Sequence, residues 1–344
     1  MSRVSLKQIA EKAGVSRMTV SCALRNSPRV KAETAARIRA IADELGYAPD
    51  PRFAEHMARV RDTKQKALLP IAWINANAKQ KAFREYEWLQ PYFEGAQERC
   101  EELGYRLEEF WLRERDMSAE RLSDIITHRG IRGVILTPTI PSITHLKLKW
   151  EAFSCVSIEN AILSPRVHRV IPDSYYNILL AIKVLKRRGY KRIGLCMHHL
   201  ESRRSNHAYL AALQLTQADM PSSARIPAHI FKSFEMPSFK KWLRQHKPDA
   251  IICHHSRMLH WLNELGYRVP EDIGVAHLAT DKDCQDWAGI WQNKHHIGAQ
   301  AVEQLVSMMQ KRRTGIPEHP HEILIQGNWQ NGTTLIPARG ELLK

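Results

Sequence analysis

The chain has 344 residues, of which 44% are hydrophobic and 8% aromatic; that is long enough for two or three folded domains and excludes an intrinsically disordered protein. No run of 18 apolar residues occurs and the first residues carry no apolar signal-peptide core, so neither a membrane span nor secretion is expected and a cytoplasmic location is. The net charge is +15, and residues 1–66 hold fourteen Lys/Arg against seven Asp/Glu, an excess that calls for a polyanionic partner such as nucleic acid.

Residues 1–48 read as three short helices. Leu6, Ile9, Ala10 and Ala13 recur at helical spacing behind Ser5 as N-cap, and Gly14 can take the left-handed conformation that ends the helix. Ser16 caps a second helix whose inner face is Val20, Ala23 and Leu24, with Val15 ahead of it. A third helix, Ala32 to Leu45, turns Ala35, Ile38, Ile41, Ala42 and Leu45 inward and stops at Gly46. Two helices joined by a Gly-containing turn and backed by a third form a helix-turn-helix unit, whose second helix enters the DNA major groove. Arg17, Met18 and Cys22 face outward at i, i+1 and i+5 and are the expected base contacts. Arg17 suits guanine O6 and N7, whereas Met18 and Cys22 offer soft apolar contact to a thymine methyl. Ser16, Thr19, Ser21 and Asn26 suit phosphates, which set register rather than specificity.

Pro49 and Pro51 then break the chain, Phe53, Met57 and Val60 make a short amphipathic stretch, and Arg59 to Lys66 reads as a basic linker. From Leu68 short apolar runs such as "LLPIAWI", "GVILTP", "FSCVSIEN", "RIGLCM", "DAIICHH" and "IGVAHLA" alternate with helical stretches. This predicts parallel α/β sheets in two lobes, with a cleft beyond the carboxyl ends of the strands. Asn75, Asn77, Thr137, Thr139, Asn160 and Asp173 fall at those ends. The six cysteines are scattered, without a CxxC pair, and read as reduced, buried thiols. The pairs His198-His199, His254-His255 and His295-His296 lack the carboxylate or Cys spacing of a metal site, and "DKDCQD" lacks the Gly and Glu of an EF-hand loop. No GxSxG, Walker or GxGxxG motif appears, so neither an enzyme nor a bound cofactor is expected.

The opening "SLKQIAEKAGVSRMTVSCAL" and "PRVKAETAARIRAIADELGYAPDP", with "KPDAIIC", "GYRVPEDIGVAHLA", "IGAQAVEQL" and "GIPEHPHEILIQGNW" in the core, resemble the LacI/GalR family of bacterial transcriptional regulators over essentially the full length. The resemblance implies a helix-turn-helix headpiece (1–48), a hinge helix and linker (49–66), and a two-lobed core similar to periplasmic binding proteins (67–344). The first lobe is expected at about 67–160 and 292–318, the second at about 161–291 and 319–344. It implies a hinge that pushes apolar side chains into the minor groove. The usual leucine position there is His56, so His56 or the adjacent Met57 is the wedge, with Phe53 on the same segment. Arg25 replaces a common Asn and adds a phosphate contact.

The resemblance also implies an effector, often a sugar or nucleobase, bound between the lobes. Arg203 or Arg204 matches an effector-binding Arg ahead of a Gly-aromatic pair that here reads Ala208-Tyr209. His254 and His255 stand where Asn-Asp is usual, Ala279 where Asp is common, with Thr280 next; Trp291 and Gln292 lie near the lobe crossover. Trp73, Trp287 and Trp291 keep ring stacking open. The lost acidic positions predict a less negative pocket and admit an acidic sugar. The expected effector set is Asn75, Thr139, Asn160, Asp173, Arg204, His254, Thr280, Trp291 and Gln292. The expected protein is a homodimeric, effector-controlled repressor on a near-palindromic operator. No Leu heptads precede Lys344, so a coiled-coil tetramer is not expected. A small-molecule-binding protein with a vestigial headpiece is the alternative.

Overall fold

The computed structural model describes residues 6–24, 30, 32–45, 47, 68–280 and 284–337. The chain divides into two units, Met1–Ala67 and Leu68–Lys344. In the first, α1 (Leu6–Ala13), α2 (Arg17–Leu24) and α3 (Ala32–Glu44) enclose a small core. Ile9, Ala10, Ala13, Val20, Ala23, Ala35, Ile38 and Ala42 are buried there, with Val15, Leu24, Ile41 and Leu45 packed against them. Gly14 has φ +63°, a conformation that glycine adopts without steric cost, and Val15 N–H donates to Ala10 O at 3.1 Å to close α1. The Ser16 hydroxyl accepts from Thr19 N–H at 3.1 Å, the expected N-cap of α2.

The second unit holds β1 (Leu69–Asn75), α4 (Ala82–Glu85), α5 (Gln90–Glu102), β2 (Tyr105–Trp111), α6 (Ala119–His128), β3 (Gly133–Leu136), β4 (Ser154–Ile158) and β5 (His168–Pro172). Next come α7 (Ser174–Arg187), β6 (Ile193–His198), α8 (His199–Arg204), α9 (Ala208–Gln217), β7 (His229–Phe231), α10 (Met236–His246), β8 (Ala250–Cys253) and α11 (Arg257–Glu264). The chain finishes with β9 (Gly274–Thr280), β10 (Gly289–Trp291), α12 (Lys294–Gln310), β11 (Glu322–Ile325) and β12 (Asn328–Gln330). The strands form two six-stranded sheets, ordered β11-β5-β4-β3-β1-β2 and β12-β10-β9-β8-β6-β7. Every pairing is parallel except β10 with β12. Each sheet has apolar clusters on it, as near-continuous apolar strands require when both faces are covered.

The expected lobe limits need correction. β5 and β11, assigned above to the second lobe, pair with each other and complete the first sheet. The chain therefore crosses between lobes after Pro172, after Trp291 and between Ile325 and Asn328. The crossings are tied together: Asp173 N–H donates to Ile325 O at 2.8 Å, Gly327 N–H to Asn177 Oδ1 at 2.9 Å, and Asn293 Nδ2 to Gln326 O at 2.8 Å. β5, β11 and β12 escape a reading by pattern because each is three to five residues long and only partly buried. After β6 the chain forms two helices, α8 and α9, separated where Asn206 (φ +49°) and His207 (φ +60°) turn left-handed.

In the first lobe α12 lies directly on α5. A Cβ on Gly298 would be driven into the carbonyl oxygen of Tyr92 and sit 2.9 Å from its carbonyl carbon, so only glycine admits this approach. The close packing fixes Tyr92, whose ring is fully buried. The described cysteines, Cys100, Cys155, Cys196, Cys253 and Cys284, are buried and form no disulfide with one another. Among the described residues no helix is long and apolar enough to cross a membrane, and no three His, Cys, Asp or Glu side chains are grouped to hold a metal ion.

Candidate functional site

A cleft of about 990 Å³ separates the two lobes at the carboxyl ends of their strands. Its floor is an ionic cluster shared by both. Glu159 leaves β4 in the first lobe with φ +53°, a conformation costly for any residue with a Cβ, held by its N–H bonding Val170 O at 2.9 Å. Its carboxylate accepts from the Tyr92 hydroxyl on one oxygen and from Arg204 Nη2 on the other. Arg204 ends α8 in the second lobe, and the break at 206–207 lets the helix stop with that guanidinium facing the first lobe. The Asn160 amide donates to Arg204 O, and the Arg204 guanidinium stacks on Trp88, 5.6 Å from the ring centre. Glu201, one turn back on α8, lies 3.8 Å from Arg204 Nη1 and 3.7 Å from His254 Nδ1.

Burial opposes ionisation of Glu159, yet Arg204, the Tyr92 hydroxyl, Lys294 and His254 outweigh it and hold the carboxyl below its ordinary pKa. Burial opposes the charge on Arg204 as well, and Glu159 with Glu201 overcomes it. Burial, then Glu159, pushes the Tyr92 phenol well up, so it stays a donor. His277 is different: burial, with His254 and Lys294 nearby, depresses it to about 3. Its Nδ1 accepts from Ala279 N–H at 3.1 Å, so the neutral ring carries its proton on Nε2. Rings continue along the second-lobe wall, with Tyr209 to His254 at 6.2 Å, His254 to His277 at 6.0 Å, and His277 edge-to-face with Trp287 at 5.6 Å.

Of the residues expected here, Asn160, Asp173, Arg204, His254 and Gln292 line the cleft, as do Arg203, His255 and Ala279. Asp173 caps α7 through Tyr176 N–H at 2.9 Å, and the Gln292 amide donates to Leu278 O at 2.8 Å and Tyr209 Oη at 3.4 Å. Four expected residues lie outside the lining. Asn75 is buried in the first lobe, its amide donating to Lys79 O and Gln80 O at 2.8 Å, so it holds its own loop. Thr139 is buried, and its neighbour Ile140 takes the place at the cleft. Alternation along β9 turns His277 and Ala279 to the cleft and Thr280 away, toward Gln330 Oε1 at 3.4 Å. Trp291 is outside the lining and 37% exposed. Asn77 donates to Pro138 O at 2.9 Å, Thr137 is buried, and Trp73 packs edge-on to Phe93; none lines the cleft.

Sequence reasoning missed Glu159, Glu201, Trp88, Tyr92 and Lys294. Glu159 had a signal, an acid at the last position before Asn160 where a strand ends. With Glu201 it restores acidic groups that the sequence lacks at 254, 255 and 279, so the floor is ionically balanced rather than depleted of negative charge.

In the headpiece, α2 carries all three expected base contacts. The side chains of Arg17, Met18, Ser21 and Cys22 lie outside the described residues, as do Arg25, Asn26, Phe53, His56 and Met57 altogether. Ser16 and Thr19 stand together at the start of α2, their hydroxyls 2.9 Å apart.

A helix-turn-helix unit followed by a two-lobed binding core is the plan of a DNA-binding regulator that answers to a small molecule. The family described as bacterial regulatory proteins, lacI family, matches residues 5–50, and the periplasmic binding protein-like domain matches residues 182–334. The chain is 23% identical over 327 residues to the HTH-type transcriptional repressor PurR of Pectobacterium carotovorum subsp. carotovorum (strain PC1), covering 90% of this chain and 91% of that protein. It is 25% identical over 338 residues to the HTH-type transcriptional repressor CytR of Escherichia coli (strain K12), with 90% and 91% covered. Among solved structures, the lac repressor dimer bound to operator and the anti-inducer ONPF matches 97% of this chain and all of that one, with a TM-score of 0.56 and 19% identity. The transcriptional regulator CelR–cellobiose complex matches 96% of this chain and all of that one, with a TM-score of 0.55 and 18% identity. Residues 5–50 thus carry the lacI-family DNA-binding domain, ahead of a periplasmic binding protein-like domain at residues 182–334. The chain is a DNA-binding transcriptional regulator controlled by a small effector.

Proposed function

We propose that the protein is a cytoplasmic, homodimeric repressor that reads a near-palindromic operator and changes its DNA affinity when a small polyhydroxy effector, a sugar or sugar derivative, enters the cleft. The observation that carries this reading is the Arg204–Glu159 pair, which joins the lobes inside the cleft itself. An occupant that takes either partner's hydrogen bonds changes the contact between lobes, and a ligand shifts an equilibrium only through such a differential interaction. The floor presents carboxylates, amides, a guanidinium and imidazoles, a mixture of acceptors and donors that suits hydroxyl groups.

Arg204, Glu159, Asn160, His254 and Gln292 are the proposed first contacts, with His277 and Asp173 beside them. On DNA, Arg17, Met18 and Cys22 take the base edges, Ser16, Thr19, Ser21, Arg25 and Asn26 the phosphates, and Phe53, His56 and Met57 the minor groove. Relatives named as repressors, and solved neighbours holding operator or cellobiose, support the assignment.

Fluorescence anisotropy of a selected duplex, titrated with full-length protein over a range of salt, tests it. Binding of the two half-sites together, with affinity falling steeply as salt rises, is expected. Weak, salt-insensitive binding would leave a small-molecule-binding protein with a vestigial headpiece.

A further inference from the structure

Neither α7 (Ser174–Arg187) nor α9 (Ala208–Gln217) contains an Asp or Glu, and α9 carries no charged residue at all. The two helices pack side by side in the second lobe. A surface helix ordinarily turns charged residues to water. On α9 the exposed positions are Ala211, Gln214 and Leu215 instead. Leu215, at 60%, is the most exposed of the large hydrophobic side chains described. Its neighbour Thr216 lines a groove of about 440 Å³, together with Leu179, Ile182, Lys183, Lys186 and Arg187 of α7. Those five stand at i, i+3, i+4, i+7 and i+8, one face of a helix. Ile182 is the buried floor, Leu179 is half-buried, and the three cations are exposed along the C-terminal half. Lys183, Lys186 and Arg187 form no ion pair with any described residue. None of the groove residues lines the cleft, so the two surfaces are separate.

Cations in the last turn of a helix offset its dipole, which accounts for Lys186 and Arg187 but not for the uncovered leucine close by. The phosphates of a nucleic acid would pair the cations and leave Leu179 and Leu215 wet. A second copy of the same face, related by a two-fold axis, would bring the cations no acidic group, since neither helix has one. An occupant that is both acidic and apolar meets the whole face.

We propose that this groove docks an acidic, amphipathic helix of another protein, laid along α7 and α9 as a third helix. Its apolar side chains pack on Leu179, Ile182 and Leu215, and its carboxylates, one turn further along, pair with Lys183, Lys186 and Arg187. Apolar contact holds the helix; the cations at one end fix the direction in which it runs and reject basic partners. This docking is independent of what the cleft binds.

Selection from displayed random peptides of about 16 residues, roughly four helical turns, on the full-length protein tests this, with a Lys183→Glu/Lys186→Glu variant as counter-target. The enriched sequences are expected to combine Asp or Glu with large apolar residues at i, i+3 and i+4. In fluorescence anisotropy, the best peptide should bind at least about tenfold more weakly to the charge-reversed variant and at least about threefold more weakly to Leu215→Ser. All three substitutions are at exposed positions, and melting temperatures confirm that the variants fold. No enrichment, enriched sequences without acidic residues, or equal binding to native and variant proteins overturns the inference. Two further outcomes overturn it in favour of another occupant. Loss of affinity for non-operator duplex DNA in the charge-reversed variant, with Leu215→Ser silent, assigns the face to nucleic acid. Self-association in sedimentation that Leu215→Ser abolishes assigns it to a second copy of this chain.

Discussion

Arg204 in the second lobe donates through Nη2 to Glu159 in the first, and both side chains are largely buried, 11% and 14% exposed. The partners depend on one another more than on solvent. Removing one from a buried pair leaves an uncompensated charge, which costs about 3–5 kcal/mol, whereas replacing both with neutral groups costs far less. Arg204→Met should therefore destabilise the protein by roughly that amount, and Glu159→Gln combined with it should recover most of the loss. Urea unfolding of the single and double variants measures this; additive losses would mean that the two side chains do not act together.

The buried imidazole of His277 predicts a pH dependence. Its folded pKa, about 3, lies below the ordinary histidine value near 6.5, so between these limits the unfolded chain binds the extra proton. Stability is full above about pH 6.5 and is lost as pH falls toward 3. His168, lowered to about 4 by burial and then by His321 and Arg313, acts in the same direction. Between pH 7 and pH 5, His277 alone should cost about 1–2 kcal/mol. His277→Gln should flatten the slope of unfolding free energy against pH across that window. An unchanged slope would mean that His277 does not titrate as its burial requires.

The contact of Gly298 with the Tyr92 backbone predicts a strong effect from one methyl group. Gly298→Ala must push α12 from α5, at a cost of about 1–3 kcal/mol, and should disturb the Tyr92 bond to Glu159. Gly104→Ala is a comparison without crowding, since nothing lies within 4 Å of its Cβ position; its cost comes from φ +83° alone. Thermal unfolding and ligand affinity, measured together, separate them: both variants should melt lower, and only Gly298→Ala should also bind its effector more weakly.

In the headpiece, Ser16→Ala removes the cap on Thr19 N–H and should cost about 1 kcal/mol of headpiece stability. Arg17→Ala should leave stability alone and cost about 1–3 kcal/mol of DNA affinity at one base position in each half-site. Binding to duplexes randomised one position at a time distinguishes the roles. A uniform loss across all sequences would make Arg17 a phosphate contact.

The sequence carried the headpiece helices and their inner faces because the apolar period, Ser16 and Gly14 agree locally, and local agreement is what a linear reading detects. It carried the alternating core for the same reason. It misplaced β5 and β11 because which sheet a short strand joins depends on a partner some 150 residues away. In the cleft, Asn160 and Asp173 were legible as polar residues next to strand ends, and Arg204 and His254 only through the family resemblance. Thr280 was not, since one step along β9 reverses the side a residue faces. Glu201, Trp88 and Tyr92 became visible only when α5, α8 and β4 were brought together.

The most direct test of control by the cleft is selection of random duplex DNA by the full-length protein, repeated with Glu159→Gln and with a panel of sugars and glycosides. The prediction is one near-palindromic consensus for both proteins, with recovery that responds to a compound in the native protein and responds weakly or not at all in the variant. A consensus whose recovery shifts equally in both, or no enriched sequence under any condition, would contradict it.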